Sequence, residues 1–279
     1  MTTPLPARTA PLDPRSRKLS MRRRHGTSLL RQYVGDRRFL LALPRAVGLQ
    51  ILHPAIATAL DEHVAMRLWY HKARTVSQTV QMAYDDRDQR HRVVNIHGHI
   101  GGTDDRGARF HALNPDLFHF QHATYVETLM VAVNTFIAPM SDRDHERLYA
   151  ECCEWYLRFG VSARAMPQNW ADFGDYFERV CAQQLRLTAA GRTLAPEVLR
   201  PTSWVPRLLP SVAVRGLLHP RTKELLDVRA RPGDRAAFRS YAAGLRMAAP
   251  MVPPRIRYVP SARAERSASQ LGDLSHPSK

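Results

Sequence analysis

Five histidines fall within 33 residues of the stretch NIHGHIGGTDDRGARFHALNPDLFHFQHATYVE (95–127): His97, His99, His111, His119 and His122. Neutral imidazole is the commonest protein ligand for zinc, iron and copper, and the usual axial ligand of haem. The concentration extends beyond this stretch. Nine of the 13 histidines lie between positions 53 and 122, a quarter of the chain, where an even spread would leave three or four. One histidine taken alone is more often structural or exposed than a ligand, so it is the density that argues for a site. His119 and His122, three apart, share a helix face. His97 and His99 share a face only if their segment is extended.

Several familiar chemistries are excluded by what is missing. No pair of histidines four apart encloses the glutamate of a helical zinc hydrolase. His-x-His pairs of metallohydrolases usually sit on a strand of an α/β fold, and this chain does not read as α/β. Cys152 and Cys153 are adjacent and cannot easily share one tetrahedral ion, and no Cys-x-x-Cys occurs. There is no Gly-x-Ser-x-Gly elbow, no Gly-Lys-Ser phosphate loop and no Gly-x-Gly-x-x-Gly. Gly101 and Gly102 precede a turn rather than a helix, so they do not form a phosphate cradle.

The elements that must position the histidines read as helices. PAIATALDEHVAMRLWYHKARTVSQTVQMAY (54–84) carries apolar residues at helical spacing behind Pro54. DLFHFQHATYVETLMVAVNTFIAPM (116–140) follows Asn114 as a cap and Pro115 as a first-turn residue. Ser141, with Asp144 three residues on, opens a helix over 141–161, and 169–187 is a further amphipathic helix. Only GGTDDRGARFHAL reads as extended, a short hairpin turning at DDRG. The fold class is therefore all-α: one helical domain over 26–257, with disordered tails at 1–25 and 258–279.

The formal charge of +16 is not spread evenly. Residues 1–40 hold 10 Lys+Arg against 2 acidic residues, and 192–279 hold 16 against 6, while the histidine-rich middle is close to neutral. Basic ends attract anionic surfaces, and peripheral contact with an anionic membrane is one such expectation. No zinc-finger spacing, aromatic RNA-binding motif or heptad zipper accompanies the charge, so sequence-specific nucleic-acid binding is not expected. No apolar run is long enough to span a bilayer, the N-terminus has no apolar signal region, and the three cysteines do not suggest a disulfide framework. The expected location is cytoplasmic.

Four segments occur in a distinctive order: LQILHPAIATALDEHV (49–64), the Arg74–Thr75 pair, VVNIHGHIGGTDDRGARFHALNPDLFHFQHATYVET (93–128) and FGVSARAMPQNWADFGDYF (159–177). In that order they resemble the MpaB-like oxygenases, whose catalytic domain is shared with latex-clearing protein, a rubber oxygenase. The resemblance covers roughly residues 35–250 and rests on the joint order, since no single motif is specific. It implies a globin-reminiscent helical fold holding haem b, with dioxygen and an apolar, alkene-type molecule as reactants. It places the axial iron ligand on His97, the distal pair on Arg74 and Thr75, and a further cofactor-binding histidine on His122. A cation and a hydroxyl opposite the ligand would stabilise negative charge developing on bound dioxygen.

The sequence also departs from the family pattern. His71 stands where the rubber oxygenases have an arginine, Phe110 where the hairpin has a tyrosine, and no residue matches the catalytic glutamate, Asp61 and Glu62 being only its neighbours. Two rival readings follow. One is a non-haem metalloenzyme using His97, His99 and His122; the other is a catalytically silent protein that binds an apolar ligand or haem.

Overall fold

The computed structural model describes residues 28–64 and 68–274. In chain order its helices are α1 (Leu29–Val34), α2 (Arg37–Ala42), α3 (Pro44–Gln50), α4 (Pro54–Val64), α5 (Leu68–Ala83), α6 (Arg90–His97), α7 (Pro115–Ala132), α8 (Asp142–Leu157), α9 (Trp170–Gln184), α10 (Ala189–Leu199), α11 (Ser211–Leu217), α12 (Pro220–Leu225), α13 (Asp234–Ala248), α14 (Pro254–Arg257) and α15 (Pro260–Leu274). Strands β1 (Gly101–Thr103) and β2 (Arg109–His111) pair antiparallel between α6 and α7, with Gly102 opposite Phe110. The all-α class with one short hairpin is what the structure has.

Local chemistry sets the ends of these helices. The Asn114 side chain accepts from the Asp116 and Leu117 amides, and Pro115 takes a first-turn position where no N–H is needed. Ser141 accepts from the Asp144 amide at 3.2 Å while its hydroxyl donates to the Asp144 carboxylate at 2.7 Å. Asp104 accepts from the Arg106 and Ala108 amides at 2.9 Å, closing the hairpin turn in which Gly107 adopts a φ of 81°.

Helix α7 is the axis of the fold. Apolar residues cover nearly its whole circumference, and it packs against α2, α3, α4, α8 and α9. Trp155 and Tyr156 from α8 and Phe173 from α9 are fully buried nearby, each stabilising by about 1.5–3 kcal/mol on burial. At its C-terminal end α7 widens into a π turn over Val133–Ile137. Two arginines take the carbonyls there: Arg246 donates to Thr135 O at 2.9 Å and to Asn134 O, and Arg38 donates to Phe136 O at 2.8 Å. The expected helix over 116–140 is thus shorter, because wider hydrogen-bonding replaces the α pattern after Ala132.

Arg38 belongs to a buried ionic node. Asp36, 2% exposed, accepts from Arg38 Nε at 2.9 Å and Nη2 at 2.6 Å, caps α2 through the Arg38 amide at 3.0 Å, and receives Arg257 Nε at 3.2 Å. Asp36 also forms a backbone bridge with Tyr258, and the Val259 amide donates to Gly35 O at 2.9 Å. Of the tail expected to be disordered over 258–279, residues 258–274 are instead joined to the fold, and 275–279 lie outside the described residues. Tyr258 and Ala262 are buried against α1 and its flank, and 260–274 forms α15, because the Arg/Ser-rich sequence still places Val259 and Ala262 where the N-terminal helices need covering. The expected tail at 1–25 lies outside the described residues. Among the described residues no helix is long and apolar enough to cross a membrane.

Candidate functional site

Helix α5 is pinned at its start by Glu197 of α10, whose carboxylate accepts the Leu68 amide at 3.1 Å and whose carbonyl accepts Trp69 Nε1–H at 2.6 Å. So fixed, α5 turns two stripes in different directions. Trp69, Val76, Val80 and Ala83 go to the core. His71, Lys72, Thr75, Gln78, Thr79 and Met82 line a cavity, recurring at steps of three and four. The opposite wall comes from α7, with Leu117, Phe118, Gln121, His122 and Tyr125; α4, α6 and the hairpin close the sides with Ile56, Leu60, Val93, Ile96, His97 and Phe110. The empty space is ≈ 1130 Å³, its open mouth included.

His97 is the last residue of α6 and faces this space beside Phe118, ring edge to ring face at 5.5 Å. Its Nδ1 lies 3.2 Å from Val93 O; a carbonyl only accepts, so Nδ1 carries the proton and Nε2 keeps its lone pair. Burial holds its pKa below the ordinary imidazole value, favouring the neutral, ligating form. Backbone-anchored Nδ1–H is the arrangement that orients histidines which ligate metals through Nε2.

His122 sits a turn along α7 from Phe118, caged by Trp155, Tyr156 and Phe159 at ring distances of 4.8, 5.3 and 5.5 Å. Burial pushes its pKa down to about 3, and its Nε2 is buried with no partner among the described residues. The ring also contributes to the cavity wall. His119 is equally buried but turns towards Tyr156 and Tyr176, away from the cavity wall. His99 is exposed and lines nothing. Among the described residues no three His, Cys, Asp or Glu side chains stand close enough to hold an ion. The expected His97–His99–His122 set is therefore not assembled, because α6 stays helical to His97 and leaves His99 in the outward turn beyond it.

The distal pair divides. Thr75 lines the cavity, and its hydroxyl donates to His71 O at 3.1 Å, which leaves its oxygen lone pairs for a guest. Arg74 does not reach the cavity: it is exposed on α5, off the stripe that 71, 75, 78 and 82 define. The cation on this wall is Lys72, 1% exposed, whose Nζ donates to Gln50 Oε1 at 2.7 Å. Gln50 in turn donates to Thr124 Oγ1 at 2.7 Å, and Thr124 donates to Gln121 O at 2.7 Å. Sequence reasoning passed over Lys72 and Gln50. The available signal was phase: Lys72, Val76, Val80 and Ala83 follow one another at steps of four, four and three, so this lysine sits among apolar neighbours.

Burial pushes the Lys72 pKa down to about 7 from 10.5. Between those two values the folded chain binds fewer protons than the unfolded one, so stability rises with pH, by about 1.4 kcal/mol per pH unit. Lys72→Met has no such slope. Chemical denaturation is expected to show the parent gaining about 2–3 kcal/mol on the variant over two pH units above neutrality. Parallel pH dependences for the two chains would mean that the amine is not buried uncompensated.

His111 fixes the hairpin beside His97. Its Nε2–H donates to Gly98 O at 3.1 Å and its Nδ1 accepts the Leu113 amide at 3.2 Å, a complete account of a neutral ring. From outside, Arg186 holds the hairpin turn through Asp104 at 3.4 Å and Asp105 at 2.5 Å.

Compared with known proteins, the chain matches one family model, described as ER-bound oxygenase mpaB/B'/Rubber oxygenase, catalytic domain, over residues 31–247. No curated protein and no solved structure gives a significant match.

Proposed function

The chain belongs to the family of mpaB and rubber-oxygenase catalytic domains, and from that premise we propose that it is a haem-dependent oxygenase using dioxygen on an apolar substrate. The observation that carries this reading is His97: a backbone-anchored imidazole on the wall of a mostly apolar cavity, its Nε2 without a partner among the described residues. The residues present suit a haem group. The walls are mostly aliphatic and aromatic, and the histidine is set in its ligating tautomer. Haem, when bound, supplies the iron that binds and activates dioxygen.

The chain's own residues do the rest. His97 would hold the cofactor. His122, kept neutral by its aromatic cage, adds a nitrogen that accepts or donates without bringing charge into the site. Thr75 supplies the hydroxyl that the resemblance assigned to the distal pair. The apolar wall formed by Ile56, Leu60, Phe110 and Phe118 excludes water and selects an apolar molecule, with an alkene as the class the family resemblance implies. The three cysteines, all free, support our placing the chain in a reducing compartment such as the cytoplasm.

An absorption spectrum of the chain produced with ample haem tests the reading. A Soret band with about one haem per chain is the expected result. A featureless visible spectrum overturns it, and elemental analysis of that sample then separates a non-haem metal from a metal-free binding protein.

A further inference from the structure

Lys72 lies deep in the protein with one hydrogen-bonding partner among the described residues, the Gln50 side-chain oxygen. The direction of the chain behind it matters. Gln50 is itself fully buried and spends its NH₂ on Thr124, whose hydroxyl is spent on Gln121 O. The donors run from Lys72 to Gln50, from Gln50 to Thr124 and from Thr124 to Gln121 O, with no acid in the series, so the chain orients Lys72 without neutralising it. An ammonium has three N–H donors, and one is used here.

No carboxylate compensates the charge. Among the described residues Lys72 has no ion pair, and the cavity wall carries no Asp or Glu. The titratable groups on that wall are Lys72, three histidines and a buried tyrosine, Tyr125, all neutral or cationic at neutral pH. A buried cation without an anion costs several kcal/mol, and proteins that bury lysine usually provide its partner. Here the partner's place is on the cavity side. Its own helix adds the polar His71, Thr75, Gln78 and Thr79, while the walls from α4, the hairpin and much of α7 are aliphatic and aromatic, so what completes the site has a carboxylate at one end and an apolar body.

We propose that Lys72, oriented by Gln50, is the headgroup site of this cavity and takes the carboxylate of an otherwise apolar molecule. Two molecules carry that chemistry: a fatty-acid-like substrate, and haem through its own propionates. The inference deepens the oxygenase reading by giving the guest a polar end, and rests on that reading only for the role of the cavity. Charge-assisted N–H···O bonds to a desolvated carboxylate are short and roughly twice as strong as neutral ones, so the acid form is strongly preferred over the alcohol or ester.

The test is a set of paired titrations on the full chain as isolated. Calorimetry compares dodecanoate with dodecan-1-ol, and absorbance compares haem with haem dimethyl ester. Two variants accompany the parent. Lys72→Met removes the charge at similar volume, and Gln50→Glu sets an internal carboxylate against Lys72 while keeping its shape; circular dichroism establishes that each is folded. The parent is expected to bind the acid member of at least one pair about tenfold or more tightly, a preference of about 1.4 kcal/mol. Both variants are expected to bring that ratio below about threefold. A preference in the dodecanoate pair assigns the headgroup to the substrate; a preference confined to the haem pair assigns it to the cofactor. No acid preference in either pair, or one that survives both variants, overturns the proposal. The two readings fail separately: a Soret band without acid preference leaves the oxygenase reading standing, and dodecanoate selectivity without a Soret band leaves the headgroup site standing.

Discussion

His97→Ala, produced beside the parent with ample haem, is expected to lose its Soret band and its stoichiometric haem. Removing groups that merely orient a metal ligand already costs about 10–100-fold in affinity, so removing the ligand itself should cost at least about 100-fold. The substitution is mild for the fold. The imidazole is half-buried at the end of α6, makes one bond to Val93 O and contacts Phe118 at its edge, so thermal unfolding should move little. His99→Ala, on an exposed neighbour outside the cavity, is the matched control and should leave the spectrum intact. A band unchanged in His97→Ala but lost in His122→Ala would transfer the axial role to the orphaned Nε2 on α7.

The largest stability effect is expected at Asp36→Ala. The carboxylate is 2% exposed, holds the Arg38 guanidinium through both oxygens, caps α2 and receives Arg257. Alanine leaves Arg38, 7% exposed, as a buried cation whose only remaining bond is to Phe136 O. Breaking a buried pair from one side costs about 3–5 kcal/mol. At roughly 2–4 °C per kcal/mol for a domain of this size, the melting temperature should fall by about 6–20 °C. Arg257→Ala is expected to cost far less, because that side chain is 25% exposed and only supplements the node. Equal losses for the two variants would refute the assignment of Asp36 as the centre.

Much of this fold is written locally. Asn114–Pro115, Ser141 with Asp144, and the DDRG turn each define an element boundary through bonds made within four residues, and each is where its sequence signal puts it. The C-terminal helix was not legible, since its order depends on Tyr258 and Val259 meeting Asp36 and Gly35, more than 220 residues away. The site divides the same way. His97, His122 and Thr75 are all on the cavity wall and were reachable from the ordered motifs. Arg74 was misplaced because a motif preserves order in sequence and not phase on a helix; its neighbours Lys72 and Thr75 face the cavity while it faces solvent. Gln50 was invisible, being an amide on α3 whose role is set by a lysine on α5 and a threonine on α7.

The hairpin gives the cavity a wall of a different kind from the rest. Two three-residue strands make a ribbon that is marginal by itself, yet Phe110 and the flanking Ile100 and Ala112 close one side of the space. What secures it on the outer side is Arg186 with Asp104 and Asp105, a partly exposed ionic latch that salt screens over about 8 Å at physiological strength. The ribbon's hold is therefore part ionic, through Arg186, and part local, through His111 and its packing on α4, while α5 and α7 hold their side chains by burial. Composition and closure thereby fall to different elements: the helices supply most of the wall, and the salt-sensitive share of its closure belongs to the ribbon. Stopped-flow release of a bound guest should accelerate with salt in the parent and lose that dependence in Arg186→Ala.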